Sequence, residues 1–181
     1  MKSWSVLNEA ILGWVKIVRG QAGWAHHFSL TMPGLISALV LFAIFAFLVV
    51  IIASFSVGVP TLSGFISVML AQFLAVAALV LGLKATQLAV PSEAPLPHIL
   101  VPGIYALIFY LAAGTLFALI GGPLLIVLWL ALAVLLYRLG RVAAGWTMGV
   151  SAAFAVLTLV LLVGLPLTLY MLTGPLDLPT A

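Results

Sequence analysis

The sequence predicts an all-α integral membrane protein, a bundle of five transmembrane helices preceded by an amphipathic helix in the membrane interface. Three observations lead there. Apolar residues make up 66% of the 181 and charged residues only 5%, about a fifth of the charged share of an ordinary soluble domain. The apolar residues fall in continuous stretches of about 20 or more, which satisfy lipid-embedded backbone as helices, whereas a closed barrel needs short alternating segments. All six Lys and Arg lie outside or at the ends of those stretches. No segment of ordinary polarity is long enough to bury a core of its own, so residues 1–181 read as a single membrane domain.

Charge and Gly/Pro punctuation divides the apolar part into spans at about 32–56, 62–83, 98–120, 123–139 and 144–173. The separators are "SVGVPT", "LKATQLAVPSEAPLP", "IGGP" and "YRLGRVAAG". Pro33, Pro60, Pro102 and Pro123 are expected near helix starts, where a missing N–H is harmless. Ser29 or Thr31 is a candidate cap for the first span. Lys2, Lys16 and Arg19 precede that span, Lys84 lies between the second and third, and Arg138 and Arg141 between the fourth and fifth. Because cytoplasmic loops retain Lys and Arg, this places the N-terminus inside and the C-terminus outside. The N-terminal region does not read as a cleavable leader, since its apolar core begins only near residue 33, after an amphipathic stretch.

That stretch, residues 3–20, reads "SWSVLNEAILGWVKIVRG". Val6, Leu7, Ala10, Ile11, Trp14, Val15 and Val18 recur at three- and four-residue steps, with Lys2, Ser5, Glu9, Lys16 and Arg19 on the other side. The preferred reading is an interfacial helix, its cations among headgroups and Trp4 and Trp14 in the aromatic belt; the alternative is a helix packed on the end of the bundle or on a partner. Trp24, Arg138 and Arg141 complete the expected interface set.

The chemistry available is narrow. With no cysteine, disulfides and thiolate-ligated metals are excluded, and with three acidic residues and no Walker, G-x-S-x-G or H-E-x-x-H motif there is little material for catalysis. No ionisable side chain lies deep in a span, where a coupled transporter needs one. Gln72, the most central polar residue, is expected to make an interhelical hydrogen bond, with lining a path as the alternative. Ser37, Ser67, Thr115, Ser151 and Thr158 are expected to bond back to their own helix carbonyls. Small residues at four-residue spacing, Gly114, Ala118 and Gly122 in one span and Gly145, Gly149 and Ala153 in another, mark close helix packing within the bundle or between copies. Pro166 should kink the last span and free a carbonyl near residue 162. Pro91, Pro95 and Pro97 make the segment 90–98 an extended spacer.

His26, His27 and His98 gather at the cytoplasmic edge, and with Glu93 they supply the ligand types of a zinc or iron site. Adjacent residues on a helix point about 100° apart, and a transmembrane haem wants facing histidines within spans, so the histidines read as interface residues and no cofactor is expected. The net charge of +3 is small and scattered, which argues against nucleic acid and for a modest attraction to anionic lipid. In layout, with "ILGWVKIVRGQAGW" before the first span and "VPGIYALIF" opening the third, the chain resembles the Yip1-domain membrane proteins, although the acidic segment and "YGP"-type element of the eukaryotic members are absent. That resemblance implies a noncatalytic scaffold or membrane-organising protein. The expected partners are the lipid bilayer and a membrane protein or a second copy of the chain. The alternatives are a subunit of a transporter or channel complex and a metal or haem protein. Richness in Ala, Leu, Val and Gly is compatible with a GC-rich bacterium and its inner membrane.

Overall fold

The computed structural model describes residues 2–90, 95–120 and 124–173. Among them are six α-helices and no strand: α1 (Lys2–Arg19), α2 (Met32–Val57), α3 (Leu62–Ala89), α4 (Leu96–Ile120), α5 (Leu124–Val142) and α6 (Met148–Thr173), with a 3₁₀ turn at Trp24–His27 before α2. Met32–Phe55, Leu62–Ala89, Leu96–Ala118 and Met148–Leu172 are each long and apolar enough to cross a bilayer, and the chain is a membrane protein. Pro91, Glu93, Gly122, Pro123 and the tail from residue 174 lie outside the described residues.

Local chemistry sets the helix ends. α1 stops at Gly20, whose φ of 68° suits a residue without Cβ. The Gly20 N–H then bonds Ile17 O and the Gln21 N–H bonds Lys16 O, so two carbonyls of the last turn are satisfied. Thr31, rather than Ser29, caps α2 by accepting from the Gly34 N–H at 3.2 Å, and Thr61 does the same for α3 through Gly64. α6 begins at Met148 and not at 144, because Gly145 takes a φ of 67° in the turn and Arg141 donates to Trp146 O at 2.8 Å across it. α3 continues six residues past the expected 83, carrying Lys84 on its last turns. α4 begins at Leu96, which puts Pro102 inside the helix instead of in its first turn.

Successive helices from α2 to α6 run in alternating directions. Phe42 and Phe47 of α2 meet Phe73 and Phe65 of α3, each pair 6.0 Å apart. Gly103 and Gly114 of α4 face Leu139 and Leu128 of α5. Gly82 of α3 faces Thr158, and Gly140 of α5 faces Ser151, both of α6. α4 lies at the centre, with every residue from Ile99 to Ile108 buried, as a helix that is apolar all round should be. The others show apolar side chains outward, for example Ile36, Val40 and Ile44 on α2 and Val156 and Val160 on α6.

Candidate functional site at the cation-bearing end

α1 is fastened to the bundle where α2 and α4 begin. Ala10, Gly13, Trp14 and Ile17 form its buried face, and these positions fall within about 100° of arc on a 3.6-residue helix. The Trp14 Nε1–H donates to the Pro102 carbonyl at 3.1 Å, giving a buried indole the partner it requires. Gly13 meets the Phe28 ring, where a Cβ would not fit, and Phe28 in turn packs on Tyr105 of α4 at 5.7 Å. On the opposite flank His27 Nδ1 contacts Glu9 Oε2 at 2.6 Å. Indole, phenyl and imidazole contacts thus close the loop between α1 and α2 onto the head of α4.

The expected interface tryptophans therefore do different things. Trp14 is only 4% exposed and belongs to the α1–α4 contact, which corrects its assignment to the lipid belt: its ring is consumed by protein and its N–H by a carbonyl. Trp24 is half-buried and stacks beside Phe28 at 6.3 Å. The Trp4 side chain lies outside the described set. Arg19 and Arg138 are exposed, Lys16 and Arg141 half-buried, and Arg141 holds the α5–α6 turn. A second apolar strip of α1, Ile11, Val15 and Val18, remains exposed. With Arg19, Trp14 and Phe109 of α4 it lines a groove of about 470 Å³.

His26 and His27 line a recess of about 490 Å³ with Glu9, Ser29 and Tyr105. Glu9 is the partner of His27, and His98 sits at the start of α4 with its N–H bonded to Pro95 O. Among the described residues no three His, Asp or Glu side chains converge as metal ligands; Glu93 lies outside them.

Of the small residues expected at helix contacts, Gly114 does meet a neighbouring helix, at Leu128 of α5, but those near the start of α6 do not. Gly149 and Ala153 are exposed and a Cβ at Gly149 would meet nothing within 4 Å, while Gly145 belongs to the turn and also meets nothing. This corrects their placement at a contact inside the bundle. The buried side of α6 is Ser151, Ala155 and Thr158, and residues 149 and 151 are about 200° apart on a helix. Their counterparts are Gly82 on α3 and Gly140 on α5; Ala78, Gly82 and Thr86, at four-residue spacing and all buried, are the small-residue signal that would have found this seam. Ala118 is exposed, and Gly114 lies against the end of Leu128. Ser37 and Thr115 bond back to Pro33 O and Leu111 O, but the hydroxyls of Ser151 and Thr158, pressed against the glycines, find no hydrogen-bond partner among the described residues. Gln72 likewise has none among the described residues, so the expected interhelical bond is not made; half-buried, it lines a cavity that opens to the outside of the bundle beside exposed Val163. No protein-family model, no curated protein and no solved structure matches this chain.

Proposed function

We propose that the chain is a noncatalytic five-span scaffold or membrane-organising protein of a bacterial inner membrane, with its cation-bearing end in the cytoplasm. In this reading α5 is the fifth span. Its 19 residues cover about 28 Å at 1.5 Å per residue, close to the hydrocarbon thickness, and Leu128, Leu132, Leu136 and Leu139 are buried along most of its length. Lys16, Arg19, Lys84, Arg138 and Arg141 all lie toward the end where α1 docks, which suits the retention of Lys and Arg in the cytoplasm. The observation that carries the functional reading is α1 itself. One face is locked onto α4 while Ile11, Val15 and Val18 stay exposed beside Arg19, an arrangement that presents a rigid apolar and cationic edge to the headgroup layer of anionic lipid. In layout this parallels the Yip1-domain proteins.

The absence of cysteine makes a single-site test clean. A nitroxide at Val15→Cys, in liposomes containing anionic phospholipid, should be relaxed by oxygen more than by an aqueous nickel chelate, with the order reversed for Ser5→Cys. Equal access of nickel to both sites would refute membrane contact by α1. A transporter or channel subunit is the second reading, favoured by the cavity between the helices that Gln72 lines. It requires a partner of fixed stoichiometry in mild detergent or leaky liposomes, whereas the scaffold leaves liposomes tight.

A further inference from the structure

Between α2, α3, α4, α5 and α6 lies a cavity of about 350 Å³, reached by Phe42, Gln72, Tyr110, Trp129, Leu162 and Pro166. Three of its features belong together chemically. Gln72 brings a carboxamide, with two N–H donors and a carbonyl acceptor, and none is used by another described residue. Leaving such a group unmet in a lipid-embedded bundle is costly. Pro166 lies inside α6 and has no N–H, so the Leu162 carbonyl one turn earlier loses its helical partner; both residues line the same cavity. Tyr110 and Trp129 stand edge to face, 5.6 Å apart, and form an aromatic wall.

The walls carry no carboxylate, amine, guanidinium or imidazole, so a charged ligand would go unpaired there. The volume is at the small end of ligand sites, roughly 300–1,000 Å³. We propose that this cavity binds one small, neutral, lipid-soluble molecule in which a planar ring carries a hydroxyl group. The ring packs on Tyr110 and Trp129. The hydroxyl accepts from the Gln72 amide and donates to the Leu162 carbonyl, which answers both unmet groups at once. This goes beyond the scaffold reading and does not depend on it: a tight, noncatalytic membrane protein can hold such a ligand, and a failed α1 test leaves the cavity as it is.

4-Hydroxybenzophenone has the required ring and hydroxyl and crosslinks under ultraviolet light. With the full chain in nanodiscs at mildly acidic pH, labelling should saturate and map by mass spectrometry to residues 71–75 of α3 and 162–166 of α6. Gln72→Leu should weaken half-saturation about five- to tenfold, the weight of one hydrogen bond. Benzophenone without the hydroxyl should lose a similar factor on the unaltered chain and nothing more on the variant. Ala75→Phe, which fills the cavity, should abolish saturable labelling. If Gln72→Leu does not fold, Ala75→Phe and the comparison of the two probes on the unaltered chain decide. Labelling that does not saturate, that spreads over outward residues such as Ile36 and Val160, or that ignores the hydroxyl would overturn the proposal and leave a cavity holding water or lipid tails.

Discussion

Trp14 and Gln72 show how far a single residue can be read. The periodicity of α1 placed Trp14 on the apolar face, but which carbonyl takes its N–H depends on the approach of a residue 88 positions away. Trp14→Phe keeps an aromatic ring but removes that donor and part of a buried indole. It should lower stability in detergent by about 1–3 kcal/mol, the hydrogen bond plus the cavity left behind, seen as an earlier thermal transition by circular dichroism. Gln72 differs in that its amide has no partner among the described residues to lose. Gln72→Leu should leave the unfolding midpoint unchanged or raise it, whereas an interhelical bond there would have cost about 1 kcal/mol on removal. The same reasoning separates Ser37 and Thr115, whose hydroxyls bond their own helices, from Ser151 and Thr158, whose hydroxyls lie between helices with no partner among the described residues.

At the scale of the helix, existence was legible and facing was not. Every expected span corresponds to a helix; the turn at Gly145 delays the start of α6, while α3 runs on past 83 and α4 starts early at Leu96. α1 combines apolar and polar sides, so part of its buried face could be named from spacing alone. α6 is apolar all round; its sequence points to Gly145, Gly149 and Ala153 for packing and to Ser151 and Thr158 for bonds to their own helix, yet the contact runs along Ser151, Ala155 and Thr158. Only this second strip is buried. Two substitutions separate them. Gly82→Ala places a Cβ onto the Thr158 hydroxyl and within 3.3 Å of its Cα, which neither helix can yield without shifting, and should cost about 1–3 kcal/mol. Gly149→Leu enters open space and should change stability by no more than about 0.5 kcal/mol. Denaturant titration of the two variants side by side measures the contrast. Reversal of that order would mean that α6 packs through its other side.

For the whole molecule the distribution of cations makes the strongest demand. Thiol labelling of intact cells with a membrane-impermeant reagent should modify Val59→Cys, between α2 and α3, from outside. Leu88→Cys, at the end of α3, should react only after permeabilisation; both positions are more than 80% exposed. The opposite pattern would invert the proposed orientation and with it the cytoplasmic placing of α1. Composition and the spacing of apolar runs by themselves determined that this is a helical membrane protein, roughly where its helices lie, and that its cations collect toward one side. The tertiary structure decided which face of each helix meets protein, that Trp14 bonds α4 instead of standing in lipid, and that Gln72 opens on a cavity. The division has a physical cause. In water a buried face differs in polarity from an exposed one and leaves a period in the sequence; in lipid both faces are apolar, and only the fit of small residues, caps and unpaired polar groups distinguishes them.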